Sequence, residues 1–348
     1  MRKATAMKLF FCFTHYHTLI AMIKAIENCE HPDILLANDI PGFDSLYANL
    51  LDSGVFNNIY VYDAKTFTHC FVFRSKIDRA IRSRRIVRKI LPQTIPLNLS
   101  ELKKYSEIYI SNDMTGPAKY LILNKVPYHL IEDGLDYFSY FDRYYSIPKG
   151  AFTKNGMRKK IKEILGVGFL CWGQAECCID IEVNSIDNLK IPTDKVIVVP
   201  RKKMFDSLSD QQKKLIFATY AKGKATAEVK SGKSMILLTQ PLYADKFVQT
   251  EEDQRVVFES VIKEYIAKGY AVAIKPHPRD LMNYIPLVEK YNCVFIDKDI
   301  PSEILNFDSD SHFDTAVSIT STAINFLENA KEKRFMGREY ISQCLKED

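Results

Sequence analysis

The chain has 348 residues, 47% of them hydrophobic and 26% charged, with a formal net charge of +5. That length exceeds one ordinary core and that apolar content can fill two, which argues against a disordered chain and for two α/β domains. The longest apolar stretches, such as 235–238 and 271–274, are strand-length and far short of the roughly 20 residues that cross a bilayer.

The elements alternate between strand and helix from the start, the signature of parallel sheets built from βαβ units. The run 8–14 reads as the first strand, 17–28 as a helix and 33–36 as the next strand; helices near 43–52 and 117–124 and strands at 58–62, 107–110 and 128–131 complete one Rossmann-like half. Residues 8–21 are interrupted by Thr14, His15, His17 and Thr18 with no small-residue cleavage site after them, so this start is expected to belong to a cytoplasmic protein. After Gly134 the text turns aromatic (Tyr137, Phe138, Tyr140, Phe141, Tyr144, Tyr145); a helix near 154–165 and short strands at 177–181 and 196–199 read as a crossover. The polar run 221–233 reads as a loop. Strands at 235–239, 271–275, 293–296 and 316–319 then alternate with helices near 251–268, 281–291 and 302–307. The expected architecture is α/β, two Rossmann-like domains facing a cleft: 1–170, a crossover 171–233, and 234–348.

Ligands of doubly wound sheets collect at the carboxyl ends of the strands, so the residues just after each strand carry the functional signal. Lys275-Pro276-His277-Pro278 follows one strand; two prolines fix the backbone around one imidazole, which suits contact with a phosphate oxygen. Glu132-Asp133-Gly134 follows another, and adjacent carboxylates at a strand end suit general-base work, with Gly134 expected to turn the chain at positive φ. Ser318-Ile319-Thr320-Ser321-Thr322 leads from the last strand into a helix expected near Ala323, an arrangement of hydroxyls and free N–H groups that receives anions. The loop Gln240-Pro241-Leu242-Tyr243-Ala244-Asp245 faces the same way, and Asp245 and Asp253 are reserve candidates for the base, whereas Glu251 and Glu252 suit the helix dipole.

Other features carry less. Eight scattered cysteines lack the C-x-x-C spacing of a zinc or redox site and are expected to be reduced and mostly buried. Ser231-Gly232-Lys233-Ser234 precedes a strand and lacks the first P-loop glycine, and His15 and His17 would point different ways from a helix, so neither a P-loop nor a metal pair is expected. Asp297-Lys298-Asp299 and Asp308-Ser309-Asp310 have D-x-D spacing away from the expected phosphate site, and no metal or cofactor is expected. Arg74–Lys89 is strongly basic; Ile77, Ala80, Ile81, Ile86, Val87, Ile90 and Leu91 form an imperfect apolar face that suits either an anionic membrane surface or the body of the protein.

These landmarks, from Leu9-Phe10-Phe11-Cys12-Phe13-Thr14 and Leu19-Ile20-Ala21 through Glu132-Asp133-Gly134 and His277-Pro278 to Ser321-Thr322, resemble in order those of the bacterial lipooligosaccharide sialyltransferases, glycosyltransferase family 52. The resemblance implies a GT-B-like inverting transferase that moves sialic acid from CMP-sialic acid to a galactose-terminated glycan. On that reading Asp133 takes the acceptor proton and His277 serves the leaving phosphate. Lys275, Pro278, Gln240, Glu303, Ser321 and Thr322 face the donor, with Arg279 adding positive field, and Thr14, His15, Glu132 and Gly134 lie on the acceptor side. Family precedent also allows a base from the second domain. Related sequences often carry proline and glutamine after the first-strand threonine, where this chain has His15-Tyr16-His17. The partner expectations are the CMP-sugar, a glycan or glycolipid acceptor, an anionic membrane, a homodimer and no nucleic acid. The rival readings are a CDP-polyol-dependent polyol-phosphate transferase and a non-catalytic nucleotide-binding subunit.

Overall fold

The protein is described by a computed structural model covering residues 7–70, 72, 74–134, 172–187, 189, 194–224, 233–308 and 311–346. The aromatic stretch 137–145, the helix expected over 154–165, the Ser231-Gly232 pair and the second half of the Asp308-Ser309-Asp310 motif lie outside these residues. The chain divides into two compact units, Met1–Leu208 and Ser209–Asp348.

The first unit is built on seven parallel strands: β1 (Lys8–Cys12), β2 (Asp33–Ala37), β3 (Ile59–Tyr62), β4 (Glu107–Ile110), β5 (Tyr128–Ile131), β6 (Cys178–Val183) and β7 (Val196–Val198). Their order in the sheet is β3-β2-β1-β4-β5-β6-β7. β2 is buried along its whole length and β1 from Leu9 onward, as strands covered by helices on both faces must be. The two strands expected in a crossover instead extend this sheet: β6 pairs with β5, and β7 with β6, so the first unit runs on to Leu208. β7 is three residues long, Val-Ile-Val, and partly exposed at the sheet edge; its apolar text marks a strand but not which sheet it joins. The first strand also ends earlier than expected. Thr14 leaves it to cap the helix His15–Glu27, its hydroxyl accepting from the His17 N–H at 3.2 Å.

The second unit carries five parallel strands, β8 (Ser234–Leu238), β9 (Ala271–Lys275), β10 (Val294–Phe295), β11 (Phe313–Ser318) and β12 (Ala330–Phe335), in the order β10-β9-β8-β11-β12. Met235, Leu237, Val272, Ile274 and Val317 pack against Val257, Phe258, Val261 and Ile262 of the helix Glu251–Ala267. β12 reads Ala-Lys-Glu-Lys-Arg-Phe and is exposed after Ala330; its charges suit an edge strand and hide it from an apolar pattern.

In each sheet the strand order reverses at one place, between β1 and β4 and between β8 and β11. The crevice outside the carboxyl ends of the strands at such a point is where doubly wound folds receive ligands.

Candidate active site

In the first unit, the helix that follows β1 and the loops leaving β4 and β5 bring three side chains together. Asp133 Oδ1 lies 2.6 Å from His17 Nε2, and its Oδ2 accepts from Asn112 Nδ2 at 2.8 Å. The His17 side chain is 1% exposed and that of Asp133 is 23% exposed, so the carboxylate is the member open to solvent. His17 Nδ1 accepts from the Phe13 N–H at 3.2 Å, which leaves the ring proton on Nε2, facing the carboxylate.

Glu132 does not share this site. It is buried, and its Oε2 accepts from the Asn184 N–H at 2.8 Å. The two adjacent carboxylates therefore have separate partners, and Asp133 owes its setting to His17 and Asn112. Gly134 does not take the expected positive φ, and a Cβ there would meet open space. His15 is buried and its Nε2 donates to the Pro41 carbonyl at 2.8 Å, while Thr14 stays exposed at the helix cap. The two histidines thus point to different partners.

In the second unit, His277 follows β9 as expected, with part of its surface open. Its Nδ1 accepts from the Arg279 N–H at 3.1 Å, which again assigns the ring proton to Nε2. Burial lowers its pKa to about 3, and the charges of Arg279 and Lys275 act in the same direction. The ring is accordingly a neutral N–H donor in the free protein, not an imidazolium.

Lys275 is buried, and its Nζ donates to the carbonyls of Pro276 at 2.8 Å and Lys298 at 3.1 Å. Burial lowers its pKa to about 8 against the opposing pull of Glu303, Asp297 and Asp299. Lys275 therefore braces the His277 loop against the segment after β10 from within. Glu303 opens the 3-10 helix Ser302–Phe307 and accepts from the Ser302 hydroxyl at 3.3 Å; burial raises its pKa. Asp280 is a buried hub: it accepts from Gln254 Nε2 at 3.0 Å, the Tyr284 hydroxyl at 2.7 Å and the Met282 N–H at 3.1 Å, which holds the His277-Pro278-Arg279 turn from behind.

Gln240, expected to face the donor, is 6% exposed and occupied internally. Its Nε2 donates to the Leu238 carbonyl and to Ser318 Oγ, and its Oε1 accepts from the N–H and hydroxyl of Thr320. With two donors and two acceptor sites filled, the carboxamide ties β8 to the Ser/Thr turn across the strand reversal. Ser321 Oγ accepts from the Ala323 N–H and caps the helix expected there, a short 3-10 turn, Thr322–Phe326.

The reserve bases have other work. Asp253 completes a capping box with Thr250, accepting from the Thr250 N–H at 2.8 Å. Asp245 pairs with Arg279 at 3.3 Å on the surface. Among the described residues, no group of three or more His, Cys, Asp or Glu is arranged to hold a metal ion, and no helix is long and apolar enough to cross a membrane. In the basic helix Lys76–Lys89, Ile86 and Val87 are buried within the unit while Arg82, Arg85, Arg88 and Lys89 face outward, so these apolar residues serve the body of the protein.

Sequence reasoning missed His17, Asn112 and Asp280. The signal available for the first two is topological, since a β1–β4 reversal makes the loops after those strands neighbours.

No curated protein sequence matches the chain. Among solved structures, the α/β-galactoside α-2,3-sialyltransferase of Photobacterium phosphoreum shares 13% identity and covers 96% of this chain and 90% of its own, with a TM-score of 0.52. The GT-B domain of the Photobacterium damselae sialyltransferase shares 14%, covering 93% and 89%, with a TM-score of 0.51. The UDP co-structure of S. aureus MnaA shares 11%, covering 98% and 87%, with a TM-score of 0.50. At these identities the likeness establishes the two-Rossmann GT-B fold and leaves the substrate open. The sequence profile of glycosyltransferase family 52 matches residues 49–336, most of both units, and the chain belongs to that family.

Proposed function

We propose that this glycosyltransferase is an inverting sialyltransferase that uses CMP-sialic acid and a galactose-terminated surface glycan. The observation that carries the reading is the neutral His277 Nε2–H just after β9 together with the Ser321 hydroxyl in the turn after β11, whose oxygen accepts from the Ala323 N–H and whose own hydrogen is left to donate. Both groups suit a leaving monophosphate. As the anomeric C–O bond to CMP breaks, negative charge grows on the phosphate, and N–H and O–H donors held there stabilise the transition state more than the ground state. Ser321, the Thr322 backbone and Glu303 complete the donor side. On the acceptor side Asp133 takes the proton of the attacking hydroxyl as its oxygen bonds to the anomeric carbon. No metal is assigned to this scheme. The outward arginines of the helix Lys76–Lys89 suit electrostatic contact with an anionic membrane that holds a lipid-linked acceptor.

Nucleotide-dependent stability tests the donor. CMP should raise the unfolding temperature, because a ligand bound only by the folded state adds RT ln(1 + [L]/Kd). UMP and UDP should raise it much less: a pocket that accepts from the cytosine amine is left with an unpaired acceptor by uracil, at about 1–3 kcal/mol. Equal stabilisation by CMP and UMP would remove cytosine recognition from the proposal.

A further inference from the structure

We infer that His17 and Asn112 are positioning residues for Asp133: two N–H donors, each locked in orientation by a backbone amide, hold the two carboxylate oxygens. The inference rests on the reading of Asp133 as the base.

Three observations combine. The donors are assigned one to each oxygen, His17 Nε2 to Oδ1 at 2.6 Å and Asn112 Nδ2 to Oδ2 at 2.8 Å. Each donor is itself fixed, since the Phe13 N–H occupies His17 Nδ1 at 3.2 Å and the Met114 N–H occupies Asn112 Oδ1 at 2.9 Å. The other imidazole tautomer, or a flipped amide, would turn a lone pair toward the carboxylate and a hydrogen toward a backbone N–H, losing two hydrogen bonds at once. Finally, His17 stands in the first turn of the helix that follows β1, and Asn112 and Asp133 in the loops after β4 and β5, strands adjacent in the sheet, so a rigid scaffold sets the plane of the carboxylate.

His17 does not take the acceptor proton itself. Both its nitrogens are engaged, and its side chain is 1% exposed against 23% for Asp133. Its effect runs through the carboxylate, whose accessible side is presented at a fixed angle to the incoming hydroxyl. A carboxylate released from either donor rotates, and a misplacement of about 1 Å costs on the order of 100-fold in rate.

The test uses the full-length protein and CMP-sialic acid with lactose. His17→Phe keeps a ring and removes the donor, Asn112→Ala removes the other, and His17→Gln restores an N–H donor. We expect kcat to fall about 10- to 100-fold in His17→Phe and in Asn112→Ala, with the dissociation constant of CMP unchanged and the KM for lactose within about threefold. His17→Gln should recover most of the rate. In an Asp133→Asn background, His17→Phe should add no further loss, because residues acting as a unit are not additive. If Asp133→Asn is inactive while folded His17→Phe and Asn112→Ala variants turn over at the parental rate, positioning is overturned and the base assignment survives. Parental turnover by Asp133→Asn overturns the base assignment and this inference with it. Should His17→Phe fail to fold, Asn112→Ala decides alone.

Discussion

His277 stands between two prolines with Nδ1 occupied by the Arg279 N–H, so a single ring nitrogen is left to act. Burial, then the Arg279 and Lys275 charges, lowers its pKa to about 3. Across pH 5–8 the ring should therefore be neutral with the proton on Nε2, which nitrogen-15 NMR of the nucleotide-free protein reads directly; titration near 6.5 would contradict this. His277→Ala should lower turnover about 100-fold or more while CMP still binds, as for a donor acting mainly in the transition state. Asp133→Asn should be equally severe, whereas Asp253→Asn, which keeps an acceptor oxygen for its capping box, should leave stability near the parent and turnover within a few-fold. An inactive, folded Asp245→Asn or Asp253→Asn variant would move the base to the second unit. The positions of Asp133 and His277 just after strands were legible, because the apolar runs that precede them mark the strand ends. His17 was not: sequence marks it as a residue in the first turn of a helix, and only the strand order brings it to a loop 116 residues away.

At the scale of elements, the strand reversal in the second sheet is fastened by one side chain. Gln240 spans β8 and the turn after β11 with four hydrogen bonds. Gln240→Leu should destabilise the protein by about 1–3 kcal/mol, by stranding buried partners, and weaken CMP binding at least several-fold; thermal unfolding with and without CMP measures both. Unchanged CMP affinity would separate this brace from the nucleotide site. The same residue shows why element reading and site reading diverge. Its place after a strand is visible in sequence, but whether a carboxamide faces ligand or protein depends on Ser318 and Thr320, which lie 78 and 80 residues further on. The fully buried strands β2 and β8 were plain as apolar runs. The charged β12 was not, because it offers no apolar signal of a covered strand, while β7 was read as a strand but not as part of the first sheet, since Val-Ile-Val carries no mark of its neighbour β6.

For the molecule as a whole, two parallel sheets follow from the alternation of strands and helices, while the division at Leu208 depends on β6 and β7 joining the first sheet. The stability of the first unit should carry a pH signature. Asp113 is buried, its carboxylate accepts from the N–H groups of Trp172 and Gly173, and burial raises its pKa from 3.8 to about 6 despite those hydrogen bonds. A folded-state pKa above the unfolded one means that the folded state binds more protons. The corresponding stability is fully present below pH 3.8 and is lost as pH rises through about 6. Trp172, the single tryptophan, reports unfolding by fluorescence. The stability of the parent minus that of Asp113→Asn should decline by roughly 3 kcal/mol from well below pH 3.8 to well above pH 6, and a difference that rises with pH would show the carboxylate to be stabilised in its charged form.

The most direct test of the central claim is a donor assay with the purified protein, CMP-sialic acid and lactose. Release of CMP and formation of sialyl-lactose are expected, with turnover reduced about 100-fold or more in both Asp133→Asn and His277→Ala. CMP-sialic acid left intact with every galactosyl acceptor, while a CDP-polyol is consumed, would contradict that claim and assign the protein to polyol-phosphate transfer.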